Sequence, residues 1–429
     1  MDIAPAKQRV SIYNMKRLGL PYGDKTLQIE VDDKYILDVI SMHGSPSGSA
    51  EKTLIDAIKN PLEGKSLLDF IGNAGRVNII VNDTARPTRT GLVLSVIHEF
   101  IEDRDIDFLV ATGAHRAPSK QELMKIFGKQ YDAYKEKITI HDAGDDSLLD
   151  HIGKTRYGND IWLHRMIARN DKTLIIGSVE PHYFAGYTGD RKALLPGVAG
   201  YRTIEKNHKL ALDANARPLK LDGNPVHEEM LDRTAAVGAE RLYSIQMILD
   251  ERQNVHLAYT GPIVRTLEIA TDAIRQLFVA KIRTKAEIVV TVAQHPFDID
   301  LYQTLKAIEH GRQALAQGGI LIVVSPCPQG LGPKSFARLF ETVDSIDAAA
   351  HQAKSNYRLG DHNAYNLMTL RNQAEIWAVT DIDESTLRTA SISKFQTLQI
   401  ALDNAIGLKG RERSVLFLLN GSMTVPEIV

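Results

Sequence analysis

The chain has 429 residues, 44% of them hydrophobic, and its 51 Lys and Arg against 53 Asp and Glu leave a formal net charge of −2. That length suffices for two ordinary domains, and the charge balance gives no electrostatic case for nucleic acid or an anionic membrane. A single cysteine, Cys327, excludes an intramolecular disulfide and any multi-cysteine zinc or iron–sulfur site. The N-terminal Met1-Asp-Ile-Ala-Pro-Ala-Lys7 lacks the apolar core of a secretory signal. No apolar run approaches the roughly 20 residues needed to cross a bilayer, so a cytoplasmic location is expected.

Short apolar runs alternate with amphipathic segments almost throughout. Thr26–Val31 alternates at period two, as a half-buried strand does. Arg76–Val81 and Asp107–Val110 are continuous apolar runs, the pattern of strands covered on both faces. Between them Leu92, Leu94, Val96, Ile97 and Ile101 form a helical stripe over Gly91–Ile101. Strand, loop, helix, strand predicts a parallel sheet with right-handed crossovers, and Lys172–Val179 adds a further strand. One long helix is expected over Pro262–Val279. A fresh series then begins: strand Ala286–Val292, helix Tyr302–Ala316, strands Gly319–Val324 and Ile376–Val379, helix Leu398–Leu408 and a closing strand Ser414–Leu419. The restart after the long helix places a domain boundary near residue 272.

Ligands of open α/β sheets gather at the carboxyl ends of strands, and the polar clusters sit there. Asn82–Arg89 follows the first buried strand, Ala111–Pro118 the second, and Ala293–Asp300 the first strand of the second series. The densest cluster, His182-Tyr-Phe-Ala-Gly-Tyr-Thr-Gly-Asp-Arg-Lys-Ala-Leu-Leu-Pro-Gly197 with Asn207-His208, follows Val179. Its glycines let backbone N–H groups approach a ligand, and its two histidines bracket Lys192, which suits a tightly held or tethered cofactor. The bland alternative is a turn-rich cap on a strand with solvent-facing Arg and Lys.

No complete phosphate loop, dinucleotide fingerprint, nucleophile elbow or HExxH helix is present. Gly330-Leu-Gly-Pro-Lys-Ser335 has the wrong glycine spacing for a phosphate loop and reads as a turn. What remains is two histidines in different loops, His115 and His182, the cations Arg86 and Lys306, and the Lys192–His208 pair. Arg86 by its fork and Lys306 as a point charge could hold a carboxylate; alternatively Arg86 pairs with Asp83. Two opposed histidines would be an acid/base pair near neutral pH, unless each is a core histidine satisfied by backbone. Gln303 and Lys306, three apart at a helix start, share one face. Tyr302 beside them is either core or site.

These residues resemble the nickel-dependent lactate racemase family of 2-hydroxyacid racemases and epimerases. The motifs that carry the likeness are Asp83-Thr-Ala-Arg-Pro87, Ala111-Thr-Gly-Ala-His-Arg116, His182–Gly197 with Asn207-His208, and Leu301-Tyr-Gln-Thr-Leu-Lys306. They occur in the family's order over most of the chain. The resemblance implies two α/β domains with mostly parallel sheets and the active site in the cleft between them. Residues 1–272 would form the domain carrying cofactor and catalytic loops, with 411–429 returning to it, and 273–410 the domain contributing substrate-binding residues.

It implies further a nickel-pincer nucleotide, a pyridinium mononucleotide holding nickel through carbon and two sulfurs, linked covalently to Lys192. His208 takes the position of the nickel ligand. His115 and His182 take the acid/base positions. Arg86, Gln303 and Lys306, with Tyr302, resemble the substrate-binding set. Asp83 lies in the same loop as Arg86 and is placed with Gly186 and Gly189, which look like room for a nucleotide, on the cofactor side. The implied partners are a small 2-hydroxyacid (lactate-like, malate-like or a sugar acid) and the proteins that make and load the cofactor.

The chemistry is consistent with that implication. The C2–H of a hydroxyacid carboxylate is too weakly acidic for a histidine to remove readily, so the other route is oxidation to a keto acid and reduction on the opposite face. No side chain accepts a hydride, so a cofactor must. The competing readings are an NAD-linked hydroxyacid dehydrogenase, against which the missing glycine fingerprint weighs, and a non-catalytic hydroxyacid- or nucleotide-binding protein. Three positions depart from the family's usual pattern: Asp190 for the second glycine of a pair, Ala85 for threonine and Asn363 for lysine. Asp190 is expected to pair with Arg191, with a role in cofactor loading or in reaching a polar substrate as the alternatives.

Overall fold

The computed structural model describes residues 14–41, 48–72, 74–86, 88–250, 252–343 and 345–429. Two six-stranded sheets organise them. The first runs in the order Val255–Pro262, Leu242–Leu249, Lys172–Ser178, Val77–Asn82, Ile106–Ala111, Ile138–Ile140. Every neighbouring pair is parallel except the first. Ile79, Ile80, Val81, Ile175 and Ile176 have no exposure, which is why these strands read as unbroken apolar runs: helices cover both faces. Helix Thr90–Ile101 returns the chain between two parallel strands and buries Val93, Leu94, Ile97 and Ile101 against the sheet.

The second sheet runs Ser393–Lys394, Glu375–Val379, Leu315–Val324, Ala286–Val292, Val415–Leu418, Ile36–Ile40, parallel throughout. Mixed helices and mostly parallel sheets thus agree with the α/β class expected. The strand pairing differs from the expected path of the chain ends. Residues 411–429 do not return to the first sheet: Val415–Leu418 lies between Ala286–Val292 and Ile36–Ile40, and Val425–Ile428 pairs with Val279–Ile282.

Burial gives the reason. Val415, Leu416, Phe417 and Leu418 are fully buried, each worth about 1.5–3 kcal/mol. A run apolar on both faces needs a position with a strand on either side. Ile36–Ile40, half-exposed, takes the sheet edge instead. The hairpin Met15–Tyr22 with Lys25–Asp32 packs Leu20, Ile29 and Val31 against the same sheet, so the N-terminal segment also belongs with the second half. Helix Ile263–Phe278 packs mainly on the first half, through Leu267, Ala270 and Ile274 against Ile248 and Tyr187, and meets the second through Phe297, Met423 and the Arg275–Glu427 pair. The changeover therefore falls at its end rather than within it near 272.

Candidate active site

Between the halves lies a cleft enclosing about 970 Å³, the open space at its mouth included. The first half lines it with Asp83, Arg86, His115, Gly189, Asp190, Lys192 and His208. The second half adds Tyr302, Pro333, Ser335 and Gly360. All three polar loops expected at the first sheet's carboxyl edge contribute. The 330–335 stretch is a turn running into helix Lys334–Thr342. Pro87 of the first motif lies outside the described residues.

Lys192 is 8% exposed. Its Nζ stands 3.2 Å from His182 Nε2 and 5.4 Å from the centre of the Phe184 ring. Burial first, then repulsion from Arg86, Arg191 and Lys306, pushes the amine well below its ordinary pKa against a smaller opposing pull from Glu180. The shift favours the neutral, nucleophilic amine over the ammonium. His182, also buried, accepts weakly from the backbone N–H of Phe184 and Ala185 at Nδ1, 3.5 and 3.3 Å. Burial first, and the neighbouring basic groups Lys192, Arg86 and Lys306, push its pKa well below the ordinary value, so the ring is held uncharged. Its proton accordingly sits on Nε2, facing the lysine.

His115 is built differently. Its side chain is half-exposed, and Nδ1 lies 2.8 Å from Asp83 Oδ2, so Nδ1–H donates to the carboxylate and Nε2 is left as a free lone pair. The other oxygen of Asp83 accepts from Ala85 N. Both oxygens of Asp83, expected on the cofactor side, are thus spent on holding its own loop and His115. Arg86 does not pair with Asp83; its Nη1 bridges to Glu180 Oε1 at 3.1 Å.

Helix Leu301–Ala314, capped where Asp300 accepts from Gln303 N, supplies the second half's groups. Lys306 Nζ stands 3.5 Å over the Phe297 ring. Burial and Arg86, offset in part by Glu180, push its pKa down to about 7. Tyr302 lines the cleft, whereas Gln303, Lys306, His182 and Gly186 are not among its lining residues. A carboxylate held by Lys306 should therefore bind more weakly as pH rises through 7, because the cation is lost. The KM for a carboxylate substrate is expected to rise by up to about tenfold per unit above that point. In Lys306→Arg, whose charge persists above pH 12, steady-state kinetics at pH 6–9 should show that slope abolished.

His208 ends helix Tyr201–Lys209. Nδ1–H donates to Ile204 O at 3.0 Å, which leaves Nε2 as a free donor atom. The preceding Asn207 anchors the helix, donating to Glu229 Oε2 at 2.8 Å. Among the described residues no group of three or more His, Cys, Asp or Glu is placed to hold a metal ion, so the protein alone offers imidazole rather than a closed cage.

The glycines are set by close packing, Gly189 at the cleft wall, and Asp190 pairs otherwise than expected. Gly186 (φ +76°) packs where a Cβ would collide with the Lys220 carbonyl, and Gly189 (φ +105°) where one would lie 2.6 Å from Gln246 Oε1. Their need is backbone shape and close packing. Gly186→Ala should lower the unfolding free energy by at least about 1–3 kcal/mol, read as a shift of the urea midpoint. Asp190 does not pair with Arg191. Its carboxyl accepts from Ser244 Oγ and packs on Gly177, where any Cβ would collide with it. Burial pushes its pKa up to about 8. Arg191 instead binds the carbonyls of Ala185, Tyr187 and Thr188 and donates from Nε to His227 Nδ1 at 2.8 Å, stapling the loop.

Several neighbours escape sequence reasoning. Glu180 and Tyr183 follow the strand end but carry no spacing signal. Tyr357 and His362 belong to the second half. His362 is fully buried, with Nδ1 2.7 Å from Tyr357 OH. Asn363 accepts from Tyr183 OH at 3.0 Å across the two halves.

Comparison with known proteins gives the family. Residues 22–218 match the lactate racemase N-terminal domain model and residues 281–425 the lactate racemase C-terminal domain model. The chain belongs to the lactate racemase family. It is an enzyme of the isomerase class acting on a small molecule. A lactate racemase of Lactiplantibacillus plantarum is 26% identical over 423 residues, covering 95% of this chain and 99% of that one. Another, of Thermoanaerobacterium thermosaccharolyticum, is 26% identical over 336 residues, 76% of this chain and 78% of that one. The fold matches the lactate racemase apoprotein of Thermoanaerobacterium thermosaccharolyticum with a TM-score of 0.89 at 23% identity, over 96% of this chain and all of that one. A Thermotoga maritima protein matches at 0.70 and 16%, over 91% of this chain and all of that one. Among the described residues no helix is long and apolar enough to cross a membrane.

Proposed function

We propose that this member of the lactate racemase family inverts C2 of lactate or a related 2-hydroxyacid, using a nickel-pincer nucleotide tethered to Lys192. The observation that carries the reading is the buried Lys192 amine, its charged form disfavoured, in a cleft that also presents the unengaged Nε2 of His208. The donor set fits the group: a lysine uncharged enough to be acylated, and one imidazole as the protein's ligand to a nickel whose other donors are the nucleotide's carbon and sulfurs. Bound there, the group supplies the hydride acceptor that no side chain provides.

The remaining work falls to the chain. Lys306 and Arg86 hold the substrate carboxylate, Arg86 exchanging part of its bridge to Glu180 for it. His115, with Nδ1–H fixed on Asp83, takes the hydroxyl proton at Nε2 as C2 is oxidised. The keto acid turns about its held carboxylate, and His182 exchanges the proton on the other face. Lys192 would hold the group through its Nζ, whose lone pair, delocalised in the linkage, would no longer engage His182 at 3.2 Å and would leave that imidazole for substrate oxygen. Tyr302 shapes the wall on the second half's side, and loading is done by the proteins that make the cofactor.

The test is a chiral product screen over 2-hydroxyacids with protein co-expressed with the cofactor-making proteins. Racemisation with substrate deuterium at C2 largely retained is expected. Washout of the label into solvent would replace hydride return with proton abstraction, and absence of inversion for every acid would overturn the reading.

A further inference from the structure

The two histidines of the proposed acid/base pair are held in different ways. His115 takes its orientation from Asp83, a carboxylate of its own half, at 2.8 Å. His182 has no such partner: Nδ1 accepts two long backbone N–H bonds, and Nε2 faces Lys192. Its ring is fixed instead between two others. Tyr183 lies stacked on it, ring centres 4.9 Å apart and 13° from parallel, and Phe184 stands edge-on at 4.5 Å. Ring pairs at such distances prefer stacked or edge-to-face geometry, so these neighbours set the plane of the imidazole.

Both flanking rings lean on one turn of the second half. Tyr183 OH donates to Asn363 Oδ1 at 3.0 Å, and Phe184 meets the His362 ring edge-on at 5.1 Å. His362 and Asn363 lie in the first turn of helix Asp361–Arg371. That turn is itself anchored, because the Asp361 carboxylate accepts from Arg338 Nη2 at 2.6 and 2.9 Å and from Arg358 N at 2.8 Å. Asn363 is 1% exposed; its Nδ2 lies near the Tyr302 phenol but makes no hydrogen bond of good geometry. We infer that Asn363 and Tyr183 are positioning residues for His182, carrying closure of the second half onto a histidine of the first. With the halves together, Asn363 takes the phenol, the Tyr183 ring is fixed, and the imidazole holds its plane. With the halves apart that bond is lost and the imidazole can turn, while His115 keeps Asp83. One side of the acid/base pair is thus competent only in the closed cleft. The inference deepens the proposed function and rests on it for the role of His182.

The experiment makes two measurements on Tyr183→Phe, Asn363→Ala and the double variant. In the full-length, nucleotide-free chain, amide hydrogen exchange over residues 181–187 should quicken about tenfold in each single variant and no further in the double, since both remove one hydrogen bond. In enzyme loaded by co-expression, single-turnover oxidation should slow about tenfold for one enantiomer, the one that His182→Asn also disables, and by no more than about twofold for the other. A merely structural loss would slow both alike. Asn363→Asp, which keeps the acceptor, should recover most of the one-sided rate. Tyr183→Phe, which removes one oxygen and keeps the stacked ring, carries the test if Asn363→Ala fails to fold. Equal slowing of both enantiomers, no slowing in Tyr183→Phe, or additive effects on exchange would overturn the inference. Racemisation by the unmodified enzyme, with variants indistinguishable from it, would remove this inference alone. Coupled exchange in a chain that inverts no hydroxyacid would remove the proposed function, and with it the role of His182, while leaving the contact between the halves.

Discussion

Lys192→Met is expected to abolish both the covalent adduct and racemisation. Intact-mass measurement after co-expression with the cofactor-making proteins should show the unmodified chain mass. Chiral assay should show at least about a 10³-fold loss, because the hydride chemistry rests wholly on the tethered group. The fold should survive. Methionine fills similar volume, and the amine it replaces is one that burial and three neighbouring cations already disfavour when charged. Thermal melting of the nucleotide-free variant should therefore match or exceed that of the unmodified chain. Lys192→Arg should fail equally, since a guanidinium stays charged and is not a nucleophile at this pH. An adduct mass or sustained inversion in either variant would remove the lysine from its role.

The second large effect is expected at His115. His115→Asn removes the Nε2 lone pair while keeping a group able to donate toward Asp83, so kcat should fall by about 10²–10⁴ with a smaller change in KM. Asp83→Asn acts through the tautomer: an amide no longer enforces Nδ1–H on the imidazole, and kcat should fall while cofactor mass is retained. That retention separates Asp83, which positions His115 at 2.8 Å, from a residue that binds the nucleotide. If Asp83→Asn instead empties the site of cofactor with His115 intact, the assignment to His115 is wrong.

How much of this is legible beforehand depends on the kind of signal. Strands such as Val77–Asn82 and Ala286–Val292 announce themselves because burial on both faces demands an unbroken apolar run. The polar clusters after them follow from the topology of parallel sheets. The place of Val415–Leu418 does not, since an apolar run says that a strand is interior and nothing about which of two interiors it enters. Asp190 is a parallel case. Its sequence neighbour Arg191 is the obvious partner, yet that guanidinium is committed to three backbone carbonyls, and the carboxyl turns to Ser244, fifty-four residues away. The role of Asn363 lies beyond sequence reasoning for a similar reason. The stretch 360–363 draws notice as a departure from pattern, while the residue matters because tertiary packing brings it to Tyr183, 180 residues away.

The strand order also bears on how the protein is made. By the time residue 262 has been synthesised, every strand of the first sheet exists, and that half can fold while the ribosome continues. Ile36–Ile40, made long before, has no neighbour to bond until Val415–Leu418 emerges. Domains fold as units during synthesis, so the half holding Lys192 and His208 stands complete over an interval in which the half that will cover them does not.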